Sequence, residues 1–111
     1  MKLLLVILTP PHDGHLKTAL NLSEAALRKG HGVIVFMTGD GALHAAQDMA
    51  ESMALKMKQL VERGMQLVAC RESLRQKGLH HEERLLEGVR ISSLAEMVDL
   101  MDSSDKTLVF D

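Results

Sequence analysis

Six consecutive aliphatic residues, Leu3 to Leu8, follow Met1 and Lys2 at the start of this chain. A strand is apolar without interruption only where both of its faces are covered, as at the centre of a parallel sheet. The run is too short to span a membrane. It leads into Pro10-Pro11-His12-Asp13-Gly14 with no small-residue cleavage site, so it does not read as a signal peptide. Val33 to Met37 repeats the pattern with β-branched residues, and Met65 to Ala69 is a third short apolar run. Three buried strands so early in a chain already point to a parallel sheet with crossover helices.

The segments between the runs have helical spacing. Leu16, Ala19, Leu20, Ser23, Ala26 and Leu27 fall on one face, and Lys17, Asn21, Glu24 and Arg28 on the other. Asp13 is placed to cap this helix, and Gly30 ends it. Ala42 to Arg63 is helix-forming throughout, with Asp40 as its expected cap, Gly64 as its stop and an expected break near Asp48 to Ser52. Gly88 to Ser92 reads as a fourth strand. Ser93 and Glu96 form a capping-box pattern for a helix through Leu100 or Met101, and Lys106 to Phe110 reads as a last strand. The order β-α-β-α-β-α-β-α-β predicts an α/β fold, three layers about a five-stranded parallel sheet, in one domain over residues 1–111.

Cys70, the chain's one cysteine, stands where the third strand gives way to a short helix closed by Gly78. Unpaired N–H groups and the positive end of the helix dipole favour a thiolate there. Arg71 and Arg75 add positive charge, and Glu72 subtracts some. The alternative is a buried structural cysteine. In parallel sheets ligands bind beyond the carboxyl ends of the strands. Three loops share that edge: Thr9 to Gly14, Thr38 to Gly41, and Cys70 with its helix start. His12, Asp13, Gly39, Asp40, Arg71 and Arg75 are therefore the expected substrate contacts around Cys70. Asp13 and Asp40 would raise the thiol pKa if they pointed inward.

Composition excludes several functions. A formal net charge of -2, with no Trp, no Tyr and two Phe, gives no basis for binding nucleic acid or an anionic membrane. A lone cysteine cannot form an intrachain disulfide, which fits a reducing, cytoplasmic setting.

The order of these signals resembles the DsrE/DsrF-like sulfur-relay family, which includes the TusD-type proteins. The resemblance rests on Leu5 to Gly14, on Val33 to Met37 with Thr38-Gly39-Asp40-Gly41, and on Gly64 to Cys70. Gly78, Gly88-Val89, and Ser104-Asp105-Lys106 before a strand ending in Phe110 extend it. It implies a strand order of 4-3-2-1-5 and a persulfide carried on Cys70. It also implies sulfur donor and acceptor proteins as partners and a homo-oligomer, trimer or hexamer. No cofactor is implied. The Pro10-Pro11-His12-Asp13-Gly14-His15 loop departs from many relatives. A non-catalytic small-ligand or interaction module on the same fold is the alternative function.

Other patterns are weaker. Cys70 and Arg75 have the C-x-x-x-x-R spacing of a rhodanese loop without its central glycine, and a phosphatase loop would need arginine where Gln76 stands. His12 with His15, and His80-His81-Glu82-Glu83, lack further ligands at a diagnostic spacing, so no metal is expected. Gly39-Asp40-Gly41 is no phosphate-binding motif. Ala46, Met49, Met53, Met57 and Leu60 form a stripe. It is read here as a subunit contact, with packing on the sheet as the alternative.

Overall fold

A computed structural model describes residues 1–11, 14–46, 51–81 and 84–111. Strands β1 (Lys2–Ile7), β2 (Gly32–Met37), β3 (Gln66–Cys70), β4 (Val89–Ser92) and β5 (Lys106–Phe110) form one parallel sheet in the order β4-β3-β2-β1-β5. The α/β class is the one the sequence pattern predicts, and the strand order is the one the family resemblance implies. The connecting helices are α1 (His15–Arg28), α2 (Glu51–Glu62), α3 (Arg71–Gln76) and α4 (Leu94–Ser103).

The sheet separates two apolar layers. Leu5, Ile7, Val35, Met37, Leu67 and Ala69 face one way and meet Leu16, Ala19 and Leu20 of α1, Met57 and Leu60 of α2, and Leu74 of α3. Leu4, Val6, Ile34, Phe36, Val68 and Cys70 face the other way and are covered by Met97 and Leu100 of α4. This alternation explains why β1 from Leu3 and β2 from Val33 are apolar without interruption. On α1 the five residues Leu16, Ala19, Leu20, Ser23 and Ala26 are buried, while Arg28 pairs with Glu24 at 2.8 Å on the outer face. Gly14 occupies the cap position of α1; the caps expected of Asp13 and the contacts expected of His12 lie outside the described residues.

Ala42 to Arg63 is not one helix. A 3-10 helix, Gly39–Ala45, follows β2, and Ala46 then forms an isolated antiparallel bridge with Leu85. A Cβ on Gly41 would sit 2.0 Å from the Ile7 carbonyl oxygen, so this turn lies directly on the end of β1. That close approach and the Ala46 bridge override the helical propensity of the alanines and leucines. Asp40 consequently lies inside the 3-10 helix and caps nothing; Thr38 holds the cap position. The methionine stripe is likewise corrected. Met57 and Leu60 are buried in this chain's own core, and Met53 packs at its margin, as in an ordinary crossover helix; Met49 lies outside the described residues.

Ser93 accepts from the Glu96 backbone N–H at 3.2 Å, so the expected cap of α4 forms. The reciprocal half of the box does not. The Glu96 carboxylate instead accepts from the Ser92 hydroxyl and pairs with Arg90 at 2.6 Å, and both contacts hold its carboxyl below the usual range, the hydroxyl more strongly.

Candidate functional site

Cys70 is both the last residue of β3 and the cap residue of α3. Its backbone is extended, and the chain turns into the helix immediately after it. The side chain falls on the α4 side of the sheet, where Cys70 is 1% exposed. Burial pushes the thiol up. Hydrogen bonds from the Ser73 N–H, the Ser73 hydroxyl, the Thr38 hydroxyl and the Glu72 N–H pull it down. The donors win, and Cys70 titrates below the ordinary thiol value. Such a setting favours a thiolate over its ordinary balance with the thiol, and it would favour an anionic persulfide for the same reason.

Two loops supply these donors. Thr38 follows β2 with its hydroxyl 3.3 Å from that of Ser73, and the Gly39 N–H donates to the Ser73 oxygen at 2.9 Å. Ser73 thus accepts from the backbone and is held beside the Thr38 hydroxyl. On β4, Ser92 is the register partner of Cys70, and both are buried.

Residues 1–110 match the DsrE/DsrF-like family. The chain belongs to this family. A sulfurtransferase TusD homolog of Pseudomonas aeruginosa is 26% identical over 127 aligned residues, covering 99% of this chain and 97% of that protein. An uncharacterized protein of Methanopyrus kandleri is 28% identical over 97 residues, 84% of this chain and 79% of its own length. The fold matches the ychN protein of E. coli with a TM-score of 0.80 at 18% identity, covering 99% and 100% of the two chains. A Methanobacterium thermoautotrophicum protein of unknown function matches with a TM-score of 0.80 at 19% identity, over 98% of each chain.

Within this DsrE/DsrF-like chain the expected contacts divide. Gly39 reaches the site through its N–H on Ser73. The Asp40 carboxylate instead pairs with Lys77 at 2.6 Å and is largely solvated, so it does not raise the thiol pKa. Arg71 and Arg75 are exposed on the outside of α3, and neither contributes to the lowered Cys70 pKa. The helix period explains this. Cys70 and Ser73 are three residues apart and share a face, whereas the next residue and the one five positions on do not.

The sequence reading missed Thr38, Ser73 and His44. Ser73 carried a signal, since a hydroxyl three residues into a helix lies over the cap residue. Buried His44 donates from Nε2 to the Thr9 carbonyl at 2.9 Å and ties the 3-10 helix to the loop after β1. His15 meets the Thr9 hydroxyl at 3.0 Å through Nδ1. His80 and His81 are exposed and stack on each other, with ring centroids 4.3 Å apart. Among the described residues no three His, Cys, Asp or Glu side chains converge as metal ligands. Among the described residues no helix is long and apolar enough to cross a membrane.

Proposed function

We propose that this chain is a sulfur-relay protein that accepts and passes sulfane sulfur as a persulfide on Cys70. The observation that carries this reading is the place of Cys70 at the start of α3, where the Ser73 and Thr38 hydroxyls and the first N–H groups of that helix favour its anion against burial in an apolar layer. The Cys70 thiolate attacks the outer sulfur of a donor persulfide. A new S–S bond forms at Cys70 and the donor's S–S bond breaks. The donor thiolate leaves with the electron pair. An acceptor thiolate then attacks the outer sulfur on Cys70, which restores the Cys70 thiolate. Nothing is oxidised or reduced overall, and no cofactor is needed. The partners of this reading are a sulfur donor protein and an acceptor protein, in a reducing cytoplasm.

The second reading is a non-catalytic interaction module with Cys70 buried, and the 1% exposure of that residue favours it. Reaction with a small thiol reagent separates the two. A relay protein must open enough for native Cys70 to react in the folded state. A native protein that stays unreactive while unfolded protein reacts at once would sink the relay reading.

The reading includes a homo-oligomer, trimer or hexamer. No residue of α4 is buried, and Leu94, Val98 and Met101 form an outer stripe at 51%, 61% and 44% exposure. Leu108 and Val109 of the edge strand β5 are also exposed. An apolar surface of this kind supports burial against a repeated subunit. The contact so proposed is α4 with β5, in place of the methionine stripe.

A further inference from the structure

The outer edge of β4 carries a second set of features. The strand has β3 on one side, and its other side ends the sheet. A groove of about 640 Å³ follows that side, lined by Arg71 and by residues from Leu85 to Ile91. A cleft of about 180 Å³ shares Arg71 and Ile91 with the groove and adds Leu74, Arg75 and His80. An unpaired strand edge flanked by a groove is a template for one more strand.

Charge narrows the occupant. Arg71 has no acidic partner among the described residues. Arg75 reaches Glu72 only at 3.6 Å, with both side chains well solvated. His80 opens on the same cleft. Arg90 is already satisfied by Glu96 at 2.6 Å, and Glu87 is the acid in the groove lining. The cleft is therefore cationic over an apolar floor of Leu74 and Ile91, and a guanidinium without a partner suits a carboxylate held by two parallel hydrogen bonds.

Position ties the edge to Cys70. Val89 and Ile91 are in register with Leu67 and Ala69 and face the α3 side; Arg90 and Ser92 are in register with Val68 and Cys70 and face the Cys70 side. A strand added beyond β4 would lie roughly 4.8 Å from it, two strand spacings from Cys70. Its side chains would alternate between the cationic cleft and the Cys70 face.

We propose that the outer edge of β4 docks an extended acidic segment of the sulfur partner, with one carboxylate gripped by Arg71. The identity of the occupant as a sulfur partner rests on the relay reading; the docking itself does not. The Val89 N–H is already held by the Leu86 carbonyl at 3.3 Å, so the segment pairs its backbone with Ile91, places acidic side chains on the Arg71, Arg75 and His80 side, and points the intervening ones toward Ser92 and Cys70.

The test uses the full chain carrying Cys70→Ser and two blocked, fluorescein-labelled hexapeptides at fixed ionic strength. One alternates Glu with Val and the other Lys with Val. Fluorescence anisotropy should show the acidic peptide binding at least tenfold more tightly. Arg71→Ala should abolish that preference, and Arg71→Lys should keep part of it. Bound peptide should slow amide exchange at Ile91, and backbone N-methylation of the acidic peptide should remove binding. Equal binding of the two peptides, binding of neither, or a preference that survives Arg71→Ala would overturn the proposal. So would β4 amides that are protected only by self-association of this chain, with that protection lost in Arg71→Ala. Acidic-peptide binding by a protein whose wild type never takes up sulfur would retire the relay reading and leave the docking edge standing. Sulfur uptake without any peptide preference would do the reverse.

Discussion

The Gly39 N–H and the Ser73 hydroxyl oxygen lie 2.9 Å apart, joining the loop after β2 to the helix after β3. This contact fixes the Ser73 hydroxyl near Cys70, where it favours the sulfur anion. Thr38, one residue before Gly39, supplies a second hydroxyl to the same atom. The thiolate site is thus made by two loops that are neighbours because β2 and β3 are adjacent in the sheet.

Ser73→Ala should remove one of the hydrogen bonds that hold the Cys70 pKa down. A hydrogen bond to a charged group contributes about 1.5 kcal/mol, so the ratio of thiolate to thiol at a given pH should fall roughly tenfold. The ultraviolet absorbance of the thiolate, followed against pH, measures this without needing reagent access. An unchanged titration would remove Ser73 from the site.

Stability should depend on pH through the same group. The folded-state pKa of Cys70 is lowered, so the unfolded chain binds more protons in the interval between the two values. Stability should therefore rise with pH from the folded-state value up to the ordinary thiol value and lie flat above it. The contribution should be lost as pH falls through the folded-state value. Urea titrations of wild type and Cys70→Ala across this range should differ in slope, with the slope present only in the wild type. Parallel curves would show that the sulfur anion contributes nothing.

Gly41→Ala should be severe for a small substitution. Its Cβ would meet the Ile7 carbonyl oxygen at 2.0 Å and the carbonyl carbon at 2.6 Å, and both are backbone atoms that cannot rotate away. Overpacking of this kind costs about 3 kcal/mol or more. Urea unfolding checks the figure. A loss below about 1 kcal/mol would mean that the 3-10 helix does not rest on β1 as described.

Much of this architecture was legible because burial leaves a plain mark on strands. Leu3 to Leu8 and Val33 to Met37 predict β1 and β2 to within a residue at each end, since no other element of that length is apolar on both faces. Cys70 at a strand–helix junction follows from the same pattern. What was not legible depends on tertiary contact. Ala42 to Ala46 has helical composition, yet Gly41 against Ile7 and Ala46 against Leu85 hold it in a different path. Arg71 and Arg75 are near Cys70 in sequence and turned away from it in space. Thr38 and Ser73, 35 residues apart, meet through strand pairing that no local pattern encodes.

Val98→Glu should shift an oligomer toward smaller species, because Val98 is 61% exposed at the centre of the outer stripe of α4. Light scattering coupled to size exclusion reads the mass directly. Met53→Glu should instead lower stability, since Met53 packs at the margin of the core. A monomer mass at all micromolar concentrations would refute self-association, and an oligomer indifferent to Val98→Glu would place the contact elsewhere.

The most direct test of the relay account is intact-mass analysis of the native protein after incubation with a persulfide donor. The account predicts a gain of one sulfur atom in the wild type that is removed by a thiol reductant. It predicts no gain in Cys70→Ser and a slower gain in Ser73→Ala. A wild type that gains no sulfur, or a Cys70→Ser protein that gains as much as the wild type, would contradict it.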